Sequence, residues 1–171
     1  MATLEKGLNM EPIGTIATLP AVYGLPADRA TPLPWSYVDE RMTAAAHYWL
    51  STVTPSGTPQ ARPFDGMWVD RRLYFGGSPE SKWRRNLANN PAASVHLEDA
   101  NSAVILEGRA ALIRPDTTLA DLLVAASNAK YDMGQKREHY EGTEIVEFAP
   151  ATVLAWKLLY EDATRWRLES P

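Results

Sequence analysis

The chain has 171 residues, and its 17 basic and 21 acidic side chains give a net charge of −4. This length favours one domain, and a content of 45% hydrophobic and 22% charged residues is typical of a globular protein. The sequence contains no cysteine, which excludes a disulfide scaffold, Cys-ligated metal centres and thiol catalysis. The acidic balance disfavours nucleic-acid binding. No apolar run reaches the roughly 18 residues of a membrane span and no secretory signal is visible, so we expect a cytoplasmic protein.

Residues 1–34 contain five of the 13 prolines of the chain. Proline fixes φ and lacks a backbone donor, so this segment is predicted to be an extended arm rather than a helix or a central strand. Disorder is the alternative interpretation. A domain over residues 35–171 follows. It begins with a short helix that Ser36 would cap and that would run to about Ala46.

The next part of the chain has the alternating pattern of β-strands. Aromatic and β-branched stretches are separated by turn signals, which indicates antiparallel hairpins. Pro63 and Gly66 interrupt the second stretch, which indicates an edge, a bulge or a close approach to the backbone. The predicted strands cover residues 46–53, 60–69, 73–77, 92–98, 103–113, 144–149, 152–159 and, as a short last one, 164–168.

Two further helices are predicted between these strands. One begins at Ser78 and ends before Pro91, and an amphipathic one covers residues 116–131. Six to eight strands and three short helices, without alternation of strand and helix, predict a mainly β, α+β fold. We expect a closed antiparallel barrel with peripheral helices.

The start of the helix after Gly76 and Gly77 is a candidate anion site. The first N–H groups of a helix have no intrahelical partners, and its N-terminal end is positive. At 100° per residue, a group of polar side chains shares one face with Ser78, and the hydroxyl of Ser81 is nearby. The group consists of Lys82, Arg85 and Asn86. Donors and cations converging in one turn indicate a phosphate site; a capped helix with a solvated basic face is the alternative.

Other candidate residues carry less information. Arg62 and Asp65 flank a strand broken by proline and glycine, whose free backbone groups suit a planar ring, although an ordinary bulge is the alternative. Trp156 and Trp166 suit stacking on a ligand or core packing. The three histidines are isolated from other ligand types, so no metal site is expected. Neither an acid–base pair nor an activated nucleophile is recognisable.

The order of several segments resembles a known family. The segments are YWLSTVTPSGTPQARP, MWVDRRLYFGG, SKWRRNLANNP, SVHLE, VILEGRA, KYDMG, FAPATVLAWKL and TRWRL. Together they resemble the pyridoxamine 5′-phosphate oxidase-like flavin-binding split barrels, most of all the actinobacterial branch that uses the deazaflavin coenzyme F420. The resemblance covers about residues 35–168. Its strongest motif comprises Ser81, Arg85, Asn86, Leu87, Asn90 and Pro91.

The resemblance implies a six-stranded antiparallel Greek-key split barrel that forms a homodimer with cofactor sites at the subunit interface. It implies that a helix start holds the cofactor phosphate, that one strand lies along the ring system, and that the partner subunit contributes an aromatic strand. The corresponding residues are Ser78, Ser81, Lys82, Arg85 and Asn86; Arg62, Pro63 and Phe64; and Trp156, Arg165 and Trp166.

One position departs from the pattern of the family. Lys82 is followed by Trp83, where the FMN oxidases of the family tend to have a second basic residue. Tyr131 corresponds to the family's residue near the open side of the ring, where it would orient a substrate; a helix-end tyrosine packed on the barrel is the alternative. Arg71 and Arg72 are candidates for contacting the oligoglutamate tail of coenzyme F420, although solvated arginines are common in turns.

The resemblance implies an oxidoreductase whose cofactor performs the hydride chemistry while the protein binds and orients. We expect a coenzyme F420-dependent reductase that transfers a hydride to a small unsaturated or quinone-like substrate. One alternative is an FMN-dependent enzyme resembling pyridoxamine phosphate oxidase. The other is a non-enzymatic carrier of F420, flavin or a tetrapyrrole.

Overall fold

The computed structural model describes residues 10–23 and 31–168. Nine strands and four helices occur in this part of the chain, together with two 3₁₀ turns at Ala21–Tyr23 and Arg137–His139. The strands are β1 (Thr15–Ile16), β2 (Tyr48–Val53), β3 (Pro59–Phe64), β4 (Met67–Val69), β5 (Arg72–Phe75), β6 (Ala92–His96), β7 (Val104–Ile113), β8 (Ile145–Ala155) and β9 (Thr164–Arg167). The helices are α1 (Trp35–Ala44), α2 (Lys82–Asn89), α3 (Thr117–Tyr131) and α4 (Leu159–Asp162).

The strands form one antiparallel sheet in the order β1-β9-β8-β7-β6-β2-β3. On the side away from β7, strand β8 pairs with β5 through its first half and with β9 through its second half, so the sheet divides there. Strand β4 pairs with β5, and Asp65 and Gly66 lead from β3 directly into β4. The chain thereby leads from β3, at one end of the strand order, through β4 and β5 back to β8, as in a barrel. The predicted mainly antiparallel β fold with few helices is confirmed.

One predicted break between two strands is absent, and the strand pair has a bulge instead. Residues 144–149 and 152–159 were expected to form two strands, but residues Ile145–Ala155 form one. Its register with β7 shifts between Glu107 and Gly108. A Cβ atom at Gly108 would lie 2.1 Å from the carbonyl oxygen of Ala149, so only glycine fits at this shift.

Other element boundaries also differ from the sequence predictions. Helix α1 begins at Trp35 after Pro34, without a side-chain cap, so Ser36 lies inside the first turn. Helix α2 begins at Lys82 rather than at Ser78. The predicted strand 60–69 is divided at Asp65 and Gly66, which bend the chain between β3 and β4.

The core lies inside the barrel and continues beneath α3. The larger part surrounds Trp166, Tyr48 and Phe148, and the smaller one packs α3 against β4 and β5 through Leu123 and Tyr74. Burial of such large apolar side chains is the main favourable contribution to folding. No helix within residues 10–23 and 31–168 has the length and apolarity that a membrane crossing requires.

The described part of the predicted arm lies on the edge of β9. Strand β1 pairs with β9 through Thr15 and Arg165, and the N–H of Ala17 donates to the carbonyl oxygen of Ala163. Leu33 is buried in the core. The remainder of the predicted arm, residues 1–9 and 24–30, lies outside the described residues.

Candidate functional site

The loop before α2 is held in a tight turn. Ser78 does not cap the helix: its hydroxyl accepts from the N–H of Glu80 at 3.2 Å, and its carbonyl oxygen accepts from the N–H of Ser81 at 3.0 Å. A Cβ atom at Gly77 would lie 2.5 Å from Cζ2 of Trp83, so the loop needs glycine there. Ser78 therefore shapes the loop, and the helix starts at the partly buried Ser81 and the exposed Lys82.

Lys82 and Arg85 share an exposed face of α2, as the helical spacing predicts. Arg85 Nη1 donates to the carbonyl oxygen of Glu80 at 2.7 Å. The ammonium group of Lys82 has no hydrogen-bond or ion-pair partner among the described residues. Ser81 Oγ is buried and also lacks a partner within that part of the chain. An unpaired hydroxyl beside an unpaired cation at a helix start is suited to binding an anion.

The structure corrects the prediction for Asn86. Its side chain is 2% exposed, and Nδ2 donates to Thr52 Oγ1 at 3.0 Å and to Gln60 Oε1 at 3.1 Å. Asn86 therefore does not contact a bound phosphate but connects α2 with β2 and β3. The helical spacing grouped Asn86 with Lys82 because the two are four residues apart, one turn of the helix.

Arg84 is a buried cation that the sequence analysis did not identify. Its residue is 7% exposed, Nη2 lies 2.6 Å from Glu144 Oε1, and Nη1 donates to the carbonyl oxygen of Gly77 at 3.3 Å. The side chain thus joins α2 both to the segment before β8 and to its own N-terminal loop. The helical spacing places Arg84 on a different face from Arg85, but it does not show that Arg84 is buried, because the ion-pair partner is 60 residues away.

Strand β3 lies at the end of the strand order and is mostly exposed. Alternate side chains of a strand share one side, so Arg62 lies on the same side as Gln60 and Phe64. Gln60 contacts Asn86 of α2, and the ring of Phe64 lies 4.4 Å from that of Phe75. Arg62 therefore lies on the side of β3 that faces α2, and it has no partner among the described residues.

Pro63 lies on the opposite side of β3 and is exposed. It pairs with Trp49, whose ring stacks on His96 at a centroid distance of 6.3 Å and an interplanar angle of 4°. The predicted trio of Arg62, Pro63 and Phe64 is thus divided between two surfaces. Only Arg62 and Phe64 lie on the side of β3 that faces α2.

Lys130 and Tyr131, at the end of α3, contact the bend that follows β3. Tyr131 Oη donates to the carbonyl oxygen of Ala46 at 2.7 Å and accepts from the N–H of Gly66 at 3.0 Å. These bonds use its proton, which favours the alternative of a tyrosine packed on the barrel. Lys130 Nζ donates to Tyr48 Oη at 2.6 Å and to the carbonyl oxygen of Gly66 at 3.2 Å. Burial lowers the pKa of Lys130 to about 8.

The C-terminal strand places its neighbouring residues on opposite sides. Trp166 is 0% exposed and packs edge-on against Trp35 at 5.8 Å. The predicted ring contact of Trp166 is therefore wrong, since successive residues of a strand point to opposite faces. Arg165 lies on the outer face. Trp156 is partly buried just after β8, with Nε1 donating to the carbonyl oxygen of Ala100 at 3.2 Å.

The outer face of the sheet contains a groove of about 590 Å³ across β7, β8 and β9. Glu107, Arg165 and Arg167 line it and have no ion-pair partner among the described residues. The cross-strand row that runs over this face is formed by Pro63, Trp49, His96, Ile105, Leu154 and Arg165. The face is thus partly apolar, with unpaired charges of both signs at one end.

The two candidate tail contacts already have partners. Arg72 Nη1 lies 2.9 Å from Glu147 Oε1, and the hydroxyl of Tyr74 donates to the same carboxylate at 3.0 Å. Arg71 Nη1 donates to the carbonyl oxygen of Met10 at 3.3 Å. Residues 10–23 and 31–168 contain no group of three His, Asp or Glu side chains able to hold a metal ion.

Comparison with known proteins gives a family and a fold. The family model described as pyridoxamine 5′-phosphate oxidase matches residues 38–157. A conserved hypothetical protein from Mycobacterium tuberculosis has a similar structure, with a TM-score of 0.61 and 17% identity over 72% of this chain and 84% of that chain. No curated protein matches the sequence.

Two further similar structures differ in their described functions. An F420 reductase has a TM-score of 0.51 and 18% identity over 67% of this chain and 94% of that chain. The heme storage protein HutZ from Vibrio cholerae has a TM-score of 0.52 and 16% identity over 67% of this chain and 88% of that chain. At these identities the likeness concerns the fold alone. Because the family model spans most of the chain, this protein belongs to the pyridoxamine 5′-phosphate oxidase family and has its split-barrel fold.

Proposed function

We propose that this protein is a coenzyme F420-dependent reductase that delivers a hydride to a small unsaturated or quinone-like substrate. The observation that carries the proposal is the set of unpaired groups at the start of α2, where Ser81 Oγ and the Lys82 ammonium lack partners within the described residues. Arg62 lies on the side of β3 facing this helix. A phosphate would complete the hydrogen bonds of all three side chains.

The residues present fit the phosphorylated end of a deazaflavin. Ser81, Lys82 and Arg62 would hold the phosphate, and Phe64 would present its ring beside the tricycle. The bound deazaflavin supplies the hydride, and the protein binds, orients and excludes water. The absence of a recognisable activated nucleophile from the sequence agrees with a protein that leaves the chemistry to its cofactor.

The proposal includes a homodimer, in which two copies pair through the outer face of the sheet across β7, β8 and β9. A two-fold axis brings the same patch of both subunits together. Glu107 of each copy would then approach Arg165 or Arg167 of the other, which pairs the charges left unpaired in the groove. In such a dimer, the side chain of Arg165 would lie next to the neighbouring subunit and not next to α2 of its own subunit.

The test is retention of cofactor by the purified protein after incubation and dialysis, followed by absorbance and fluorescence. Wild-type protein should retain F420. Lys82→Ala should bind it about 10- to 100-fold more weakly, because a charge-assisted hydrogen bond contributes about 1.5–3 kcal/mol. Lys136→Ala removes an exposed lysine outside the site and serves as the control. Unchanged affinity in Lys82→Ala would exclude the site.

FMN is the second candidate cofactor, and one observation favours it. The acidic tail of F420 extends beyond the phosphate and needs additional cations, yet Glu147 already neutralises Arg72. FMN has the same phosphate group without that tail. Retention of FMN but not F420 in the same experiment would therefore identify the flavin enzyme. A retained cofactor that supports no turnover would identify a carrier.

A further inference from the structure

Lys130 has a chemical environment that its role in packing does not explain. Its Nζ contacts Tyr48 Oη at 2.6 Å and the carbonyl oxygen of Gly66 at 3.2 Å, and it lies 4.9 Å from the centre of the Tyr48 ring. Tyr48 Oη donates its own proton to the carbonyl oxygen of Met42 at 2.6 Å. An ammonium has three protons, so these two acceptors leave one of them unused.

No carboxylate neutralises this ammonium among the described residues. Two titratable groups face it, Tyr48 from β2 and Tyr131 from α3, whose ring centre lies 5.8 Å away. Asp65 precedes Gly66 in the β3–β4 bend. The carboxylate of Asp65 is paired instead with His47, Nδ1 to Oδ1, at 2.8 Å on the exposed side. Lys130 is thus a partly buried cation without a counter-ion, which is unusual for lysine.

The position of Lys130 relates it to the proposed cofactor site. Along β3, Arg62 lies on the side that carries Gln60 and faces α2, Phe64 follows on the same side, and the carbonyl oxygen of Gly66, just beyond the strand, accepts from Lys130. The strand spans roughly 7 Å from Arg62 to Phe64, and the bend at Asp65 and Gly66 follows. A cofactor whose phosphate lies near Arg62 and whose rings follow β3 would therefore extend toward Lys130.

We propose that Lys130 is the proton donor of the reductase reaction, and that its substrate is an acceptor that becomes anionic on hydride addition, such as an α,β-unsaturated ketone or a quinone. The proposal rests on the proposed function and names the substrate class of that same site. A proton donor is required because such a substrate takes up the hydride at one atom and a proton at another.

The proposed step is balanced in atoms and electrons. When bound, the reduced deazaflavin would supply the hydride to the substrate carbon and would itself be oxidised, and the π electrons of the substrate would move onto its oxygen. The Lys130 N–H bond then breaks, its proton passes to that anionic oxygen or to the adjacent carbanion carbon, and the amine recovers a proton from water. A general acid whose pKa lies near the working pH is efficient at this step.

Two variants distinguish the ability of Lys130 to donate a proton from its positive charge. Lys130→Met keeps the length of the side chain without the amine, and Lys130→Arg keeps a positive charge on a group that does not release its proton near neutral pH. With F420 in its reduced form and menadione or 2-cyclohexen-1-one as probe, both variants should reduce the probe about 100-fold more slowly than wild type. Lys136→Met, an exposed lysine outside the site, is the matched control.

The pH profile is the second readout. Wild-type turnover should fall as the pH rises through about 8, since the ammonium form is lost there, and Lys130→Met should lack this limb. Full activity of Lys130→Arg would show that Lys130 acts only as a cation, and an unchanged alkaline limb in Lys130→Met would assign the proton to another group. Either result overturns the proposal.

A third readout needs no cofactor. The pKa of lysine in an unfolded chain is about 10.4, whereas burial lowers that of Lys130 to about 8. Between these values the unfolded chain binds more protons at this side chain, so the free energy of unfolding rises with pH there. Lys130→Met should lose that rise, as measured by urea unfolding between pH 8 and 10. An identical slope in both proteins would overturn the proposal.

The outcomes distinguish the two proposals. Failure of wild-type protein to retain F420 or FMN would overturn the proposed function and with it this inference. Retention of F420 and reduction of a probe, with full activity in both Lys130 variants, would leave the reductase standing and overturn the role of Lys130 alone. Wild-type protein that retains F420 but reduces neither probe would exclude the substrate class named here.

Discussion

Single residues on the arm and on β9 show how closely the first part of the chain packs on the domain. A Cβ atom at Gly14 would lie 2.6 Å from Thr164 Cγ2 and 2.7 Å from Nε1 of Trp166. The indole N–H of Trp166 is buried without a partner among the described residues. The backbone at Gly14 therefore covers a completely buried tryptophan, and no larger residue fits there without displacement.

Gly14→Ala should lower the free energy of unfolding by about 1–3 kcal/mol, because overpacking forces neighbouring atoms apart. Thermal unfolding followed by tryptophan fluorescence measures the change. Gly76→Ala is the control, since no atom lies within 4 Å of its added Cβ. Equal melting temperatures for the two variants would show that the arm does not pack on Trp166 in solution.

At the scale of elements, α2 is attached to the barrel by two polar contacts on its buried side. Asn86 joins it to β2 and β3, and Arg84 joins it to the segment before β8 through Glu144. These contacts orient the helix so that Lys82 and Arg85 face outward. The helical period predicts a polar face, but which polar residues lie inside depends on partners far away in the chain.

Asn86→Ala should cost about 1–3 kcal/mol of folding stability, because it removes the partner of the buried Thr52 hydroxyl and of the partly buried Gln60 amide oxygen. Urea unfolding measures this cost. Asn89→Ala removes an exposed amide from the same helix and should be close to neutral. A neutral Asn86→Ala variant would mean that water replaces the amide without loss.

At the scale of the whole molecule, the outer face of the sheet is the surface through which we expect two copies to associate. Ile105 lies in the middle of its cross-strand row, next to the groove with Glu107 and Arg165. An apolar centre with charges of both signs beside it is suited to a self-complementary interface.

Light scattering at micromolar concentration should therefore give twice the 19.0 kDa mass of one chain. Ile105→Lys should dissociate the dimer and weaken cofactor binding, because it buries a further cation beside Arg165 and Arg167. Leu122→Lys, at an exposed position of α3, should remain dimeric. A wild-type monomer that binds cofactor fully would contradict this arrangement.

The antiparallel fold and the basic helix were predictable because they depend on local patterns. Alternating strands and turn residues indicated the hairpins, and the helical period indicated the exposed pair of Lys82 and Arg85. The alternation of strand side chains also separates Arg165 from Trp166, a signal present in the sequence that the ring-contact prediction did not use.

Long-range packing decided the rest, since the sequence by itself does not show which distant groups meet. The sequence alone determined that the chain forms an antiparallel barrel with a basic helix after its Gly-Gly loop. Only the tertiary structure showed that Asn86 is buried between β2 and β3, that Glu144 neutralises Arg84, and that Lys130 reaches Gly66 without a counter-ion. Hydrogen bonds and charges depend on partners that the fold brings together across 26 to 64 residues.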